Sequence, residues 1–435
     1  MKEKRFLISL ALVIFILSVA IPSSAFNWRQ FEGEKIRVLA LKFYYTNFIK
    51  EKLPEFEKLT GIKVVYEQYP EDQYREKIVV EHAAGSTAID AFWTGPTYEG
   101  MKFYKSGWYQ PLNDYLKDPN LTNPDFEPED FVESVWAINS IGKDQVSVPV
   151  NAITWLLMYR KDLYKKYGIP VPKTLAELEE AAKKLTLDTN GDGKIDIFGF
   201  AGRGKKTQAP ASWGPLLYAF GGSWLTPDRK PAINSPQAIE ALKYYKRMMR
   251  NYANPGAADN HWHDVVTLMQ QGRVANMIDT MAFFGYMEDP KKSKVVGKIG
   301  CALVPAGPGA HVSDLWCWAI AISKFSKKKK PAWLFIQWAT SKDIQKWIQR
   351  KKFPTSRKSS WNDPEFKKMA NPEWIRAIQE NFKIATKVCH PQVVAIAEVE
   401  DVVGLAITNS ILGADPKAEL DKAQKLIEEI MAKTE

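Results

Sequence analysis

The first part of the chain alternates short apolar segments with longer amphipathic ones. Two of the amphipathic segments predict helices, one running through Phe48 and Phe56 to Gly61 and one over residues 73–84. A glycine at the end of such a segment favours helix termination. Three apolar segments predict buried strands, at residues 35–41, 62–66 and 89–93. The order is βαβαβ, which predicts a parallel sheet with right-handed crossovers.

The rest of the chain predicts further strands and helices in a different arrangement. Thr174, Ser235 and Asp415 are typical helix N-caps, and an amphipathic segment at 330–339 predicts another helix. Strands are predicted at residues 145–150, 155–159, 298–305 and 314–323.

The last two strands flank a Gly-Pro-Gly turn and would form a hairpin. A hairpin turning at 307–309 would place Cys301 opposite Cys317. Connectivity does not follow from sequence, so a disulfide and two buried free thiols are both open.

Composition places the chain among ordinary folded proteins. It has 435 residues, 45% of them hydrophobic and 25% charged, enough for two or three domain-sized units. This excludes a disordered tail protein, a collagen-like fibre and a small disulfide scaffold. The net charge is +10, but the basic residues are spread out except at 327–330. We therefore expect a basic surface and no nucleic-acid partner.

The N-terminus has the pattern of a secretory signal peptide. Lys2, Lys4 and Arg5 precede an apolar run at 6–20, and small residues end at Ala25. We predict cleavage after Ala25 and export to the periplasm. The alternative is an uncleaved anchor, but the run is shorter than the roughly 20 residues of a spanning helix. Position 26 is Phe, so the lipid-attachment cysteine of a lipoprotein is absent.

Aromatic and polar residues follow all three predicted parallel strands. They occupy residues 42–45, 67–69 and 93–98. Ligands of open α/β sheets bind beyond the carboxyl ends of the strands. The sequence therefore predicts a binding site along this edge.

Six weak motifs occur in an order known from one family. They are EFEKLTGIKV (55–64), VPV with WLLMYRKD (148–150, 155–162), DTNGDGKID with GF (188–196, 199–200), QGRVA with Met277 (271–275), AIAIS with AWLFI (319–323, 332–336), and PTSR (354–357). The mature chain resembles the extracellular solute-binding proteins that deliver sugars to ABC importers, a group that includes maltose-binding proteins. It departs from that pattern by the extra Asn276 and by the missing lipid cysteine.

The resemblance implies an α/β, two-lobed periplasmic-binding-protein-like fold of type II. A ligand cleft would lie between the lobes, with three hinge crossings and closure around the ligand. The implied division is a signal peptide at 1–25, lobe one at 26–147 and 318–352, and lobe two at 148–317 and 353–435. The implied partner is an ABC permease in the inner membrane, and the receptor would act as a monomer.

Aromatic rings suit the C–H faces of sugars, and charged or amide side chains suit their hydroxyls. The chain is rich in such rings, with 15 Trp, 17 Tyr and 21 Phe. The expected ligand is a sugar, an oligosaccharide or a polyol; an acidic sugar or a sugar phosphate, its charge paired with Arg357 or Lys42, is the alternative. Trp93, directly after the third strand, is the favoured single candidate. The candidates are Tyr44, Tyr45, Asp90, Trp93, Tyr98, Trp155, Trp213, Trp224, Trp262, Asp279, Trp316, Trp318 and Arg357.

One loop has the spacing of a calcium site. Oxygen ligands would come from Asp188, Asn190, Asp192, the Lys194 carbonyl and Asp196, but Gly199 replaces the usual bidentate glutamate. The alternative is a tight hairpin held by side-chain-to-backbone bonds. Calcium would be structural, and no other cofactor is expected.

We predict a receptor without catalytic residues. Residues 199–205 fit a phosphate loop only in part, because Lys206 stands where Ser or Thr is needed. The serious alternative is a secreted glycoside hydrolase, which needs two suitably spaced carboxylates.

Overall fold

The computed structural model describes residues 26–385, 388 and 390–435, so the predicted signal peptide lies outside the described residues. No helix in these ranges is both long and apolar enough to cross a membrane. The strands described are β1 (Lys35–Leu41), β2 (Lys63–Tyr69), β3 (Ala91–Thr94), β4 (Ser140–Ile141), β5 (Asp144–Gln145), β6 (Val148–Pro149), β7 (Ile153–Arg160), β8 (Asn276–Thr280), β9 (Ile299–Ala302), β10 (Leu315–Trp316) and β11 (Ala319–Ile322).

Helices cover the sheets of both lobes. Short 3-10 turns lie at Pro124–Phe126, Pro128–Asp130, Ala257–Asp259 and Met281–Phe283. The α-helices described are α1 (Tyr44–Thr60), α2 (Glu71–Ala83), α3 (Gly100–Lys105), α4 (Asn113–Lys117), α5 (Glu133–Ala137), α6 (Lys161–Tyr167), α7 (Leu175–Lys184), α8 (Ala209–Ala219), α9 (Pro236–Asn251), α10 (Trp262–Gln270), α11 (Phe284–Met287), α12 (Lys329–Ala339), α13 (Lys342–Arg350), α14 (Lys358–Trp361), α15 (Pro364–Met369), α16 (Pro372–Ile384), α17 (Ile396–Leu412) and α18 (Pro416–Thr434).

The first lobe is built on a five-stranded sheet in the order β2-β1-β3-β11-β6. Strands β2 and β3 both pair with β1 in parallel, as the βαβαβ pattern predicts. Strand β11 returns late in the sequence and runs antiparallel to both β3 and β6. The carboxyl ends of β1, β2 and β3 therefore share one edge of this sheet, which faces the second lobe.

The second lobe is built around β7, all eight of whose residues are buried. Strands β8, β9 and β10 all pair with it in antiparallel fashion. The expected hairpin around 307–309 is therefore wrong, because β9 and β10 each bond to β7 and not to one another. Cys301 and Cys317 are free and buried.

Three chain crossings join the lobes within the described residues. The first lies between β6 and β7, and the second lies between β10 and β11, since each pair divides between the two sheets. Helices α14 and α15 pack on α13, whereas α16 packs on β7 and β9. The third crossing therefore follows α15, later than the boundary at 352–353 that the resemblance implied.

The predicted helix caps are present. The side chains of Thr174, Ser235 and Asp415 each accept a hydrogen bond from the third residue beyond them, at 3.2, 3.2 and 2.9 Å. Gly61 ends α1 at a φ of 72°, a left-handed conformation that glycine adopts without strain. Local sequence signals thus fix the ends of these helices.

His82 on α2 predicts a dependence of stability on pH. It is 2% exposed, its Nδ1 lies 2.9 Å from the Ile78 carbonyl oxygen, and its ring packs on Phe92 and Trp108. Burial lowers the pKa of His82 and outweighs that hydrogen bond, which favours the charged ring. Below about pH 6.5 the unfolded chain binds a proton at His82 that the folded chain does not bind. The free energy of unfolding therefore falls as the pH falls.

Through His82, the free energy of unfolding should fall by up to about 1.4 kcal/mol per pH unit below pH 6.5 and should not change above that pH. Urea unfolding of the wild type and of His82→Phe at pH 5.0, 6.0 and 7.5 measures it. The variant should lose less free energy of unfolding between pH 7.5 and 5.0 than the wild type. Equal losses in both proteins would contradict the assignment.

Candidate functional site

A cavity of about 720 Å³ lies between the two lobes. The first lobe contributes the end of β1 at Leu41, Lys42 and Phe43, together with the first turn of α2. The second lobe contributes the start of β7 and the end of β8, at Ile153 and Thr280. The cavity therefore lies beyond the carboxyl ends of β1 and β2, where the strand order predicts a binding site.

Five of the thirteen ligand-binding candidates line this cavity. All five are aromatic, and they come from both lobes and from the second crossing. They are Tyr98, Trp155, Trp262, Trp316 and Trp318.

The second crossing carries two of these rings in contact with each other. Trp316 and Trp318 meet edge to face, with centroids 5.9 Å apart and planes at 82°. Gly95 makes room for Trp316, because a Cβ atom there would lie 2.8 Å from the indole. Phe43 approaches Trp318 at 6.2 Å from the other side of the crossing. These rings form one aromatic wall of the cleft.

Three predicted tryptophans lie in the core, away from the cleft. Trp93 is fully buried, and its indole N–H donates to the Tyr66 hydroxyl at 3.0 Å. Every residue of β3 is buried, so its side chains point into the packed layers above and below the sheet. Trp213 and Trp224 pack on each other at 5.5 Å inside the second lobe. The structure thus corrects the favoured candidate, Trp93.

Three candidates near the first strand have structural contacts. The buried Tyr45 hydroxyl donates to the Pro354 carbonyl at 2.6 Å. Asp90 accepts from the Arg37 amide at 2.8 Å and from the Ser326 hydroxyl at 2.5 Å. Tyr44 does not line the cavity. It stacks on Phe353 at 4.8 Å, and Phe353 is a lining residue.

Arg357 also lies away from the cavity. It is completely buried, and its guanidinium donates to the carbonyls of Thr340 at 2.6 Å and Phe126 at 2.7 Å. Its ion pair is with Asp130, at 3.3 Å. It therefore joins segments of the first lobe, and the alternative in which it pairs an acidic ligand does not fit its position.

Arg203 lines the cavity from the second lobe, and the sequence reasoning missed it. Its Nε donates to Asp279 at 2.9 Å and a second, shorter contact completes a bidentate pair. Asp279 is 1% exposed and does not line the cavity, so this candidate acts through Arg203. The guanidinium lies 5.5 Å from the ring of Trp155. Arg203 falls inside the glycine-rich segment that was considered only as a phosphate loop.

Arg75 lines the cavity from the first lobe and was missed as well. It donates to Glu99 at 2.8 Å and to Glu71 at 3.0 Å, and lies 4.3 Å from the ring of Tyr98. Burial alone would lower the pKa of Arg75, but these two carboxylates raise it above its usual value. The i, i+4 spacing of Glu71 and Arg75 was the available signal, but the predicted helix began after Glu71.

A C-terminal segment completes the cavity and was not predicted. His390 and Glu400 line it and contact each other. The ring of His390 packs edge to face on Tyr98 at 5.2 Å. No sequence pattern around either residue predicts a binding site, because the chain returns to the cleft at these positions only after the third crossing.

Further contacts connect the lobes beside the cavity. Tyr286 on α11 meets Tyr44 on α1 at 4.3 Å between ring centroids. Gln392 donates from the second lobe to the carbonyl oxygen of Thr97 at 2.6 Å. The lobes are therefore close together, and the cavity is bounded by side chains of both.

The loop with calcium-like spacing is closed by its own hydrogen bonds. Asp188 accepts from the backbone of Gly191 at 2.6 Å and of Gly193 at 2.8 Å. Asp192 accepts from the Lys194 amide, Asn190 from the Asp192 amide, and Asp196 from Thr189. The backbone N–H groups of Gly193 and Gly191 lower the pKa of Asp188. Within the described ranges no group of three or more His, Cys, Asp or Glu is arranged to hold a metal ion.

We propose that this loop is the hairpin alternative, because its side chains already bond to its own backbone. We expect that 5 mM calcium, compared with 5 mM EDTA, shifts the midpoint of thermal unfolding by less than about 1 °C, since a ligand stabilises only what it binds. Differential scanning calorimetry of the wild type and of Asp192→Asn measures this. A calcium-dependent rise in the wild type that the variant loses would contradict it.

The cleft combines two kinds of binding group. Aromatic faces pack against C–H groups, and guanidinium and carboxylate groups exchange hydrogen bonds with hydroxyls. Arg75 and Arg203 stand on opposite lobes, each held by carboxylates and each beside an aromatic ring. Such an arrangement suits a polyhydroxylated molecule that both lobes grip together.

Comparisons with known proteins agree with this geometry. A family model described as bacterial extracellular solute-binding protein matches residues 44–346. The erythritol/L-threitol-binding protein of Mycolicibacterium smegmatis is 27% identical over 80% of this chain and 75% of its own. The mannitol-binding protein of Pseudomonas aeruginosa is 28% identical over 64% of this chain and 62% of its own.

A solved structure shares the whole architecture. The ABC transporter solute-binding protein of Agrobacterium radiobacter, in complex with ribitol, superposes with a TM-score of 0.84 at 26% identity. The match covers 92% of this chain and 99% of the other. The predicted two-lobed, type II fold is confirmed. The chain belongs to the bacterial extracellular solute-binding protein family.

Proposed function

We propose that this protein is the exported receptor of an ABC importer and binds a short polyol or sugar between its lobes. The observation that carries the proposal is the cleft itself, in which nine described Phe, Tyr and Trp side chains and two carboxylate-held arginines converge from both lobes. The chemistry of a polyhydroxylated ligand matches both sets of groups. Closure of the hinge around it would produce the form that docks on a permease.

The size of the cleft favours a short ligand over a long oligosaccharide. Its volume of about 720 Å³ falls in the range of small-molecule sites. Interlobe contacts such as Tyr44 with Tyr286 and Thr97 with Gln392 limit how far a chain could extend between the lobes. Relatives named for erythritol, mannitol and ribitol support a linear polyol as the first ligand to test.

One cleft carboxylate, Glu71, is unsuited to the acid step of glycoside hydrolysis. A glycosidase needs a carboxylic acid whose pKa is raised, so that it can protonate the leaving oxygen. Burial would raise the pKa of Glu71, but Arg75 outweighs it and lowers that pKa. Glu71 would therefore be ionised and unable to act as the acid.

We further propose that the protein is exported, docks on a permease and acts as a monomer. The signal-peptide pattern at residues 1–25 supports export with cleavage after Ala25. The family supports an inner-membrane permease as the partner, and we propose that the receptor is a monomer. Mass spectrometry of the secreted protein would show a chain starting at Phe26.

A thermal-shift screen with product analysis tests the function. The panel holds polyols, monosaccharides and oligosaccharides, and each sample is checked afterwards for hydrolysis. A polyol at 100 times its Kd should add about 2.7 kcal/mol to stability and be recovered intact. Hydrolysis of a panel member would point instead to the glycosidase, and the absence of any shift would reject the ligand class.

Trp316→Ala and Trp347→Ala form a matched pair for the screen. Both side chains are half-buried, but only Trp316 lines the cavity, whereas Trp347 packs on Phe48 at the surface of the first lobe. Loss of the shift in the Trp316 variant alone is expected. Equal loss in both would place binding elsewhere.

A further inference from the structure

A histidine and a carboxylate line the cleft together after the third crossing. His390 is 9% exposed and Glu400 is 7% exposed, and both belong to the wall of the cavity. The Nδ1 atom of His390 contacts a carboxylate oxygen of Glu400. The pair therefore brings a polar group to the wall of the cavity.

The ring of His390 is held between two aromatic side chains. It packs edge to face on Tyr98, with ring centroids 5.2 Å apart, and on Trp316, with centroids 4.9 Å apart. Both aromatic residues also line the cavity. Close packing on two sides restricts rotation of the imidazole, so its nitrogen atoms keep fixed directions.

The backbone beside His390 is anchored to both lobes. The side chain of Gln392 donates to the carbonyl oxygen of Thr97 in the first lobe at 2.6 Å. Arg229 of the second lobe donates to the carbonyl oxygen of Gln392 at 3.0 Å. Residues 390–392 belong to no helix or strand, so these side-chain bonds fix the segment that carries His390.

The contact with Glu400 decides which nitrogen of His390 is available to a ligand. An ionised carboxylate only accepts hydrogen bonds, so the Nδ1 atom beside it carries a proton. The Nε2 atom makes no hydrogen bond to a described residue and keeps an accessible surface. A hydroxyl group can donate to Nε2 of a neutral ring or accept from Nε2 of a charged one. The pair can therefore bind a hydroxyl in either protonation state.

We infer that His390 is a ligand-binding residue whose Nε2 forms a hydrogen bond with a hydroxyl of the polyol, and that Glu400 positions it. The inference rests on the proposed function and assigns a further residue of the same site. It makes the segment after the third crossing part of the grip on the ligand, beside Arg75 of the first lobe and Arg203 of the second.

Nuclear magnetic resonance of isotope-labelled histidine tests the positioning without a ligand. The chemical shifts of the two ring nitrogens report which of them carries a proton, and His390→Phe assigns the signals. At pH 8.0 the Nδ1 atom of His390 should carry a proton in the wild type, and Glu400→Ala should lose that preference. A proton on Nε2 alone in the wild type, or unaltered signals in Glu400→Ala, would overturn the inference.

Calorimetric titration with ribitol, mannitol and erythritol tests the contact with the ligand. His390→Phe keeps a ring between Tyr98 and Trp316 but removes both nitrogens, and it should raise the Kd at least fivefold. His82→Phe is the matched control, because His82 is also buried among aromatic rings but does not line the cavity. An unchanged Kd in His390→Phe, or an equal rise in His82→Phe, would overturn the inference. Binding of none of the three polyols by the wild type would instead reject the proposed function.

A double variant keeps the test decisive if His390→Phe does not fold. That substitution takes from Glu400 the partner that the structure shows, and a buried carboxylate without a partner is strongly destabilising. Glu400→Gln combined with His390→Phe removes this charge. The Kd of the double variant should exceed that of Glu400→Gln alone at least fivefold, and equal values would overturn the inference.

Discussion

Arg203→Ala should raise the Kd for a bound polyol at least 100-fold and lower the free energy of unfolding by about 3 kcal/mol. The affinity falls because the second lobe loses the guanidinium that faces the cavity beside Trp155. The stability falls because Asp279, 1% exposed, is left as a buried carboxylate without its bidentate partner. Calorimetric titration and urea unfolding measure the two effects separately.

A second variant separates binding from stability. Arg203→Ala with Asp279→Ala removes both members of the buried pair, so the cost of an isolated carboxylate disappears. The double variant should regain much of the lost stability but not the affinity. Recovery of affinity in the double variant would show that Arg203 supports the fold only. An unchanged Kd in Arg203→Ala would contradict its place in the site.

Arg357→Leu should destabilise the protein by about 3–5 kcal/mol without a specific effect on the ligand. The side chain is fully buried and donates to carbonyls of Thr340 and Phe126, and its guanidinium lies 4.0 Å from the ring of Phe131. Removing it leaves the two carbonyls without this donor and takes from Asp130 its charged partner, leaving only the bonds from Ser359. Urea unfolding measures the loss, and thermal shift with ligand checks that binding survives.

Arg357→Lys should not rescue this loss, because an ammonium group cannot reproduce the planar set of donors. Arg247→Ala is the control at the surface, where the arginine pairs with Glu179 at 3.0 Å. An exposed pair of that kind is worth at most about 1 kcal/mol. Similar losses for Arg357→Leu and Arg247→Ala would contradict the structural role given to Arg357.

The fold was predictable because its signals are local. The strands β1 to β3 follow from apolar runs, and helix ends follow from Thr174, Ser235 and Gly61. The pairing of β9 and β10 was not predictable, since the turn at 307–309 favours a hairpin and only the tertiary structure brings both strands to β7.

The site was predictable only in part, and for a physical reason. Aromatic side chains fill protein cores and also contact ligands. Composition therefore could not separate Trp93, which is buried in the core, from Trp318, which lines the cavity. Arg75 and Arg203 were missed because their partners, Glu99 and Asp279, lie 24 and 76 positions away in sequence. These long-range ion pairs hold both arginines in position in the binding site.

The most direct test of the account is a calorimetric titration of the mature protein with ribitol, mannitol and erythritol. The account predicts saturable binding of at least one of them to a single site per chain, with the ligand recovered unchanged. It also predicts that Trp316→Ala loses this heat while Trp347→Ala keeps it, because only the first lines the interlobe cavity. Saturable binding that survives in Trp316→Ala, or no binding of any polyol, would contradict the central claim.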